Sequence, residues 1–452
     1  MIERYLNIAR EVIDLSLKQG AEQVSVSLAN ATSFQLEVRN QNIEALKEAG
    51  SSGIHVTLAK NQKRSTLSSN DFRLETLEPL IRSTLEALPL MGEDPFYTLP
   101  DPKLQGKAEI DLQFRDPNFE KMASTEKINE LMLLEKEALS IDSRLQTEEI
   151  SFSDSISYMV HGDSNGFLEG CSKTLCSLGV SMFAEDAGEE TEGSSQSLNT
   201  GRKQSDGWYS SSRFRKDLEP REDLARKAGE RTLRKLGSVK PKSCEVPVVF
   251  STEMAQSFLG SLASAMMGDN VFRKHSFLKD SLGETVANPE IRLSDEPLLP
   301  GKLGSRHYDN EGVKATPLML IDQGKLLSFM CSTYSANKLD RQSTGHAGGI
   351  SNLMLKPGSY SDEELIASID NGLYLTGMSG QGVNLTTGDY SRGAQGLWIR
   401  KGKLAEPVSE FTIASTFPEM LKGISMIGSE VDERSTILTP AFRIDSMNIS
   451  GS

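Results

Sequence analysis

Near the start of the chain, apolar and polar residues alternate in three short runs that are separated by polar links. The apolar members are Val24, Val26 and Leu28, then Phe34, Leu36 and Val38, and then Ile54, Val56 and Leu58. A two-residue period places these side chains on one face of each strand, so the runs predict an antiparallel meander. Helical spacing over 2–19 and 73–88 predicts a helix on either side, so residues 1–90 form a first unit.

The rest of the chain divides by composition, and its 452 residues suit about three structural units. Residues 91–118 are rich in proline and aspartate and are interpreted as a linker. Residues 119–219 give a helix followed by strand-like stretches, which predicts a second small α+β unit. Residues 220–452 read mostly as short strands between glycine turns, with helical stretches at 253–267 and 361–370. We therefore expect an α+β protein with two small N-terminal helix/antiparallel-sheet units and a larger β-rich C-terminal domain.

One segment, 185–207, is polar, glycine-rich and nearly free of bulky apolar residues. Such a composition buries too little apolar surface to offset the entropy lost on ordering. It predicts a long surface loop, with a role as a lid as the less favoured alternative.

The charge and hydropathy of the chain argue against several classes of function and location. Lysine and arginine number 49 against 63 aspartates and glutamates, a net charge of −14, which argues against direct binding to nucleic acid or anionic membranes. No stretch approaches the ~20 apolar residues that span a bilayer. The first apolar segment carries charges, unlike a signal peptide. We expect a cytoplasmic protein, and a mature secreted form that starts at residue 1 is the alternative.

The five histidines offer little local metal chemistry, because no two lie three to five residues apart. A zinc helix needs two imidazoles on one face. His346 lies in the glycine-rich segment STGHAGG, where Asp309 or Asp389 as a partner would make it a general base. A histidine that is hydrogen-bonded within a tight turn is the favoured interpretation.

Two further segments carry polar residues next to glycines. Asp309 and Glu311 precede Gly312 and would suit a hard cation, although a turn with an Asx-type hydrogen bond is favoured. The segment NLTTGDYSRGAQG (384–396) predicts bulges and tight turns beside a cleft. An exposed sheet edge at this place would accept an extended peptide as an added strand.

A set of ordered motifs resembles the TldD/PmbA family, and within it the PmbA (TldE) branch. The motifs cover essentially the whole chain and are EVRNQNIE (37–44), SNGF (164–167), SDGWYSSSR (205–213), NVFRKHSFLKDSLGE (270–284), LPGKLGSRHYDNEGV (299–313), YSANKL (334–339), STGHAGGISNL (343–353), GVNLTTGDYSRGAQGLWI (382–399) and PVSEFTIAS (407–415). The resemblance implies a protease system acting on unfolded peptides. It implies that TldD members bind zinc through an HExxxH helix and a C-terminal cysteine and pair with PmbA around an enclosed cavity.

This chain departs from that zinc pattern. In the matching helix, Leu259 and Ser264 stand where the two histidines are expected, and Gly260 replaces the glutamate. The stretch 426–445 has no cysteine. None of these residues can activate a metal-bound water, so the chain itself is expected to hold no cofactor and to have no catalytic residues of this kind.

The resemblance therefore predicts a non-catalytic TldE-like subunit of a TldD–TldE-type zinc metalloprotease. Its expected partners are a TldD-like HExxxH subunit, which would hold the zinc, and an unfolded peptide, with a homodimer as an alternative assembly. Two other functions remain open: a stand-alone peptide-binding or regulatory protein, matching the family's gyrase-modulator label, and a metal-independent hydrolase using His346. The candidate cleft or peptide-binding residues are Asp309, Glu311, Gly345, His346, Asn352, Thr387, Gly388 and Asp389.

Overall fold

The computed structural model describes residues 1–186 and 201–451. Its helices are α1 (Ile2–Lys18), α2 (Leu74–Ala87), α3 (Ser124–Leu139), α4 (Arg221–Leu233), α5 (Thr252–Met266), α6 (Gly268–Phe272), α7 (Thr333–Lys338), α8 (Asp362–Ala367) and α9 (Phe417–Gly423). Its strands are β1 (Gln23–Arg39), β2 (Asn42–Lys60), β3 (Lys63–Ser69), β4 (Gln146–Asp163), β5 (Leu168–Glu185), β6 (Lys203–Ser212), β7 (Cys244–Phe250), β8 (Leu293–Asp295), β9 (Leu318–Asp322), β10 (Lys325–Leu326), β11 (Leu353–Leu355), β12 (Asn371–Ser379), β13 (Asp389–Arg400), β14 (Lys403–Thr416), β15 (Ile424–Ile427), β16 (Ile437–Leu438) and β17 (Phe442–Ser450).

The N-terminal half is built on one antiparallel sheet with the strand order β3-β2-β1-β4-β5-β6. Strands β1 and β4 pair continuously, from Ser25 opposite Asp163 to Val38 opposite Ile150. The expectation of two separate N-terminal units is therefore corrected, because strands from both predicted units share this sheet. The coarser prediction, an α+β protein with an antiparallel N-terminal sheet, is confirmed.

Two hydrophobic cores lie end to end along this sheet. At one end, α1 and α2 cover Val24, Val26 and Leu28. At the other end, α3 and α4 cover the apolar residues from Phe34 to Val38 together with Ile150. Helix α4 was placed in the C-terminal domain by the sequence, but its Leu224, Ala225 and Ala228 pack into this second core.

The first two alternating runs form one strand and not two. Strand β1 continues through residues 29–33, which are half-buried or exposed. These residues lie between the two cores, so no helix selects apolar side chains there and the alternation disappears. The interruption in the pattern marks the gap between cores and does not mark a turn.

The C-terminal half contains a small barrel. Strands β14, β13, β12, β7 and β17 are neighbours in that order, and an additional pairing of β14 with β17 closes the ring. A second sheet has the order β10-β9-β8-β11-β16. Helix α5 lies in the core that joins these layers, with Phe258 packed between Phe250 and Phe417. The prediction of a β-rich C-terminal domain with short strands and a few helices agrees with this arrangement.

Two predicted connections behave differently. The stretch 91–118 is ordered and runs along the C-terminal half, where the amide of Gly106 donates to Gly312 and Lys314 donates to Leu104. The loop predicted at 185–207 falls largely on 187–200, outside the described residues. The predicted end of the loop at residue 207 is wrong, because β6 already begins at Lys203 and pairs with β5. The boundaries of the predicted domains remain predictions.

Within the described part of the chain, none of the helices has the length and apolar character needed to cross a membrane.

Candidate functional site

The structure brings five of the eight predicted cleft residues into one region, which we call the loop cluster (residues 295–313 and 343–352). Asp309 is buried in its centre. One carboxylate oxygen accepts hydrogen bonds from the amides of Glu311 (2.9 Å) and Val313 (3.0 Å), and the other accepts from the amide of Ala347 (2.9 Å). Burial raises the pKa of Asp309, and these amides act against that rise. The carboxylate therefore ties two loops together, and the Asx-type turn predicted from the sequence is present.

His346 directly precedes Ala347, whose amide donates to Asp309, but its own side chain contacts a different carboxylate. Its Nε2 is 3.1 Å from Oδ2 of Asp295, and its Nδ1 is 2.7 Å from the carbonyl oxygen of Thr344. Asp295 also accepts a hydrogen bond from the amide of Ser351 (2.8 Å). Both ring nitrogens are thus engaged by groups of the protein itself, so neither is free to contact a nucleophile or a water as a general base would.

Asp295 was not foreseen, since it lies 51 residues from His346 in the chain. Burial raises the pKa of this carboxyl, but the hydrogen bonds from His346 and Ser351 outweigh burial, so its pKa is lowered. The predicted partners are engaged elsewhere: Asp309 accepts from backbone amides, and Asp389 accepts a hydrogen bond from Thr387. The pair of His346 and Asp295 is a buried connection between β8 and the glycine-rich loop.

Three other predicted residues also hold the loop cluster in place. The side chain of Asn352 donates to the carbonyl oxygen of Glu296 (2.7 Å) and accepts from the amide of Gly304 (2.9 Å). Glu311 accepts from the amide of Thr333 (2.8 Å) at the start of α7. Gly345 has a φ of +72° and offers its carbonyl oxygen to Arg306.

The remaining three predicted residues, Thr387, Gly388 and Asp389, lie at the start of β13. Thr387 donates to Asp389 at 2.5 Å, and both are exposed. Gly388 has a φ of +85° and its carbonyl oxygen accepts from the amide of Phe417 at the start of α9. These contacts belong to the barrel and involve no residue of the loop cluster.

The side chains of helix α5 at the expected zinc positions are engaged in packing and in hydrogen bonds within the helix. Leu259 is 2% exposed and packs in the C-terminal core, and Ser264 donates its hydroxyl to the carbonyl oxygen of Gly260 (3.0 Å). Among the described residues, 1–186 and 201–451, no three His, Cys, Asp or Glu side chains are placed to hold a metal ion. The donor set on this helix does not fit zinc.

A cavity of ≈ 360 Å³ lies where the loop cluster meets the face of the N-terminal sheet opposite the helices. Apart from Phe114, which belongs to the ordered 91–118 stretch, its walls come from both halves: Ser27, Leu28, Ala29, His55, Met159, Val160, His161, Cys171 and Lys173 on the sheet, and Gly304, Arg306, His307, Tyr308, Asp309 and Asn310 in the loop cluster. Of the predicted cleft residues only Asp309 lines it. Sequence reasoning missed Lys173, Arg306 and His307, although the last two lie in the quoted motif at 299–313.

Aromatic packing fixes the two halves against each other at this cavity. The Phe167 ring of the SNGF motif lies 5.0 Å from the ring of Tyr308 and 5.9 Å from that of His161. Gly312 has a φ of +79°, and a Cβ atom there would lie 2.6 Å from the Phe167 ring. Two family motifs that are far apart in sequence therefore meet at this contact.

Burial also perturbs the ionisable groups around the cavity. It lowers the pKa of His161 to about 4 and raises the pKa of the Cys171 thiol. It lowers the pKa of Lys173 to about 8, with smaller contributions from the positive charges of Arg213 and Arg306. The site is thus a partly dehydrated pocket with several cationic groups.

Comparison with known proteins assigns the chain to a family. The model of the PmbA/TldA metallopeptidase central domain matches residues 117–236, and that of the C-terminal domain matches residues 243–451. The chain belongs to the PmbA/TldD family. The division between these two matches falls after helix α4, consistent with the packing of that helix on the N-terminal sheet.

Members of the PmbA/TldD family resemble the chain over its full length. It is 32% identical to the metalloprotease PmbA homolog of Buchnera aphidicola subsp. Acyrthosiphon pisum, across 99% of this chain and 97% of that protein. It is 29% identical to metalloprotease PmbA of Escherichia coli O157:H7, across 100% and 98%. A Bacteroides thetaiotaomicron structure, described as a candidate modulator of DNA gyrase, superposes with a TM-score of 0.90 at 28% identity, across 99% and 98%. TldE from Thermococcus kodakarensis shares the fold, with a TM-score of 0.84 at 20% identity across 98% and 100%.

Proposed function

We propose that this chain is the non-catalytic, TldE-like subunit of a cytoplasmic zinc metalloprotease complex that degrades or processes unfolded peptides. The zinc would be held by a TldD-like partner with an HExxxH helix. Full-length membership of the PmbA/TldD family supports the peptidase context. The observation that carries the proposal is helix α5, whose Leu259, Gly260 and Ser264 stand where the family resemblance places the zinc ligands and the base.

The geometry around His346 supports the same assignment. A metal-independent hydrolase would need a base that can accept a proton from a nucleophile or water. Both ring nitrogens of His346 already face acceptors, and the ring is 2% exposed. The proposed role of this chain is therefore to complete a peptide-binding cavity and to position the peptide, with chemistry supplied by the partner.

Affinity purification of the tagged chain from its native cells at low salt, followed by mass spectrometry, tests the assembly. We expect a stoichiometric partner that carries HExxxH. A homo-oligomer without such a partner would contradict the proposal and would favour a stand-alone peptide-binding or regulatory protein.

Reconstitution then tests the division of labour. The complex should cleave an unfolded peptide, and a chelator should abolish this activity. The chain alone should be inactive, and substitution of the partner's HExxxH glutamate should remove the activity of the complex. Chelator-insensitive cleavage by the chain alone that is lost in His346→Ala would overturn the assignment.

A further inference from the structure

The cavity between the N-terminal sheet and the loop cluster has a group of cations with no acidic partner. Lys173 donates to the carbonyl oxygen of Ser305 (3.0 Å) and lies 4.6 Å from the centre of the Phe114 ring. Arg306 donates to the carbonyl oxygens of Gly345 (3.2 Å) and Gly349 (2.7 Å). These acceptors are all neutral carbonyl oxygens. They satisfy the N–H donors of Lys173 and Arg306 but do not balance the positive charges of the two side chains.

A third cation, Arg213, adds to the positive charge next to the cavity. Arg213, 5% exposed, donates to the carbonyl oxygens of Lys302 (3.2 Å) and Thr174 (3.3 Å). No carboxylate in the described part of the chain lies within ion-pair distance of Lys173, Arg213 or Arg306. Taking charge out of water is unfavourable unless an opposite charge accompanies it, so three neighbouring cations favour an anion at this place.

The acids nearest to this group are already engaged. Asp309 accepts three backbone hydrogen bonds, and Asp295 is bound by His346 and Ser351. Glu169 pairs with Lys107 at 3.7 Å. Asp295 and Asp309 raise the pKa of Arg306 only from a distance, and burial, the larger effect, leaves that pKa lowered.

Two polar atoms of the cavity walls also have no partner. Nε of Arg306 and Nδ1 of His307 are both buried without a hydrogen bond. Arg306 therefore has an unused N–H donor in addition to an unbalanced charge. Buried polar groups of folded proteins are nearly always hydrogen-bonded, so the protein's own groups leave the polar atoms of Arg306 and His307 incompletely satisfied.

The walls also contain apolar side chains, among them Phe114, Met159 and Ala29. A volume of ≈ 360 Å³ lies within the range of small-molecule sites and exceeds what a single ion needs. We propose that this cavity binds a ligand carrying a carboxylate beside an apolar body, with the carboxylate held by Lys173 and Arg306 and the apolar body against Phe114 and Met159. This proposal does not depend on a zinc-bearing partner. The carboxylate could come from a small free acid or from the C-terminus of a peptide.

Isothermal titration calorimetry with the full chain at pH 7 and low salt tests this chemistry. The probes are N-acetyl-leucine, an N-acetylated tetrapeptide ending in leucine, the C-terminal amide of each, and inorganic phosphate. We expect each acid to bind at least tenfold more tightly than its amide. Tighter binding of the tetrapeptide than of N-acetyl-leucine identifies a peptide terminus as the source, and equal binding identifies a small acid.

The same titrations can overturn the proposal. Equal binding of acids and amides, absence of binding at millimolar acid, or phosphate binding more tightly than both acids would each contradict it. These comparisons use the unaltered chain, so they hold even if a variant fails to fold.

A substitution then locates the site. Lys173→Met keeps the length of the side chain but removes its charge, and we expect at least a tenfold loss of affinity for the acids. Lys422→Met changes an exposed lysine on α9 and should leave the affinity unchanged. Wild-type affinity in a folded Lys173→Met protein would place the binding elsewhere and overturn the assignment.

Discussion

At the scale of single residues, the burial of His161 in the cavity wall makes the stability of the folded chain depend on pH. Its Nδ1 lies 3.0 Å from the hydroxyl of Ser27, its ring packs near Phe167, and the backbone of Glu311 is its other polar neighbour. Burial lowers its pKa from 6.5 to about 4. The folded chain therefore holds this ring neutral under conditions in which the unfolded chain protonates it.

The sign of the pH effect follows from proton binding. Between about pH 6.5 and 4 the unfolded state binds the extra proton, so stability is complete above pH 6.5 and falls as the pH decreases towards 4. The loss of stability from this group reaches about 3 kcal/mol.

Urea unfolding at pH 4.5 to 7 should show a weaker pH dependence in His161→Gln than in wild type. His55→Gln, an exposed histidine on β2, should keep the wild-type dependence. Parallel curves for wild type and His161→Gln would contradict this.

Asn352 is a second residue whose effect can be measured. Its side chain is fully buried and joins Glu296, Gly304 and Ser305. Asn352→Ala leaves these polar groups without partners, and we expect a loss on the order of 3 kcal/mol in the free energy of unfolding. Denaturant unfolding measures it, with Asn42→Ala on the exposed end of β2 as a control expected to change stability by less than ~0.5 kcal/mol. A loss as small as in the control would show that Asn352 does not support the loops.

Sequence reasoning found part of this site and missed the rest for a physical reason. Asp309, His346 and Asn352 stood out because glycines and polar residues are dense around them. Lys173 and Arg306 are 133 positions apart in the chain and lie in ordinary strand and loop surroundings. Only the docking of the sheet on the loop cluster brings them to one cavity, and local patterns carry no signal of that docking.

At the scale of elements, the type of each segment was more predictable than its length. The helix predicted at 253–267 appears as α5. The helical stretch predicted at 361–370 appears as the shorter α8, where the amide of Glu364 donates to the Ser361 hydroxyl (3.2 Å). Periodicity could not show that two runs belong to one strand, because alternation records which side chains are covered and not where the backbone turns.

Helix α5 also allows a direct test of its missing zinc site. The triple substitution Leu259→His, Gly260→Glu and Ser264→His rebuilds the HExxxH spacing. We expect no peptidase activity and a loss of about 2–5 kcal/mol in stability, because Leu259 is replaced within the core. Peptide cleavage and denaturant unfolding measure these two outcomes, and elemental analysis shows whether the variant binds zinc. Ser264→Ala is the control and should stay within about 1 kcal/mol of wild type. Zinc-dependent cleavage by the triple variant would show that a substitution at these three positions is enough for catalysis.

At the scale of the whole molecule, the six-stranded sheet joins the first ninety residues to the unit that follows them. Strand β1 uses one edge for β2 and the other for β4 along nearly its full length. Cutting the chain at residue 90 would expose the second edge and uncover Phe34, Leu36 and Val38. Exposed strand edges of this kind favour aggregation.

Truncated proteins test this dependence. A fragment of residues 1–90 should be unfolded or aggregated, whereas residues 1–240 contain all six strands and both helix pairs and should fold. Circular dichroism and the dispersion of amide NMR signals distinguish the two cases. A monomeric, cooperatively folded 1–90 fragment would show that the first unit is independent after all.

The continuous pairing of β1 with β4 has a consequence for the order of folding events. Once either core has formed, the alignment of the two strands is set from Ser25 opposite Asp163 to Val38 opposite Ile150. The second core then assembles from strands that are already in register, and the entropy of closing the long connection between β3 and β4 is lost only once. A destabilising substitution in the core that forms first should therefore slow the appearance of both cores, whereas one in the later core should mainly speed its unfolding.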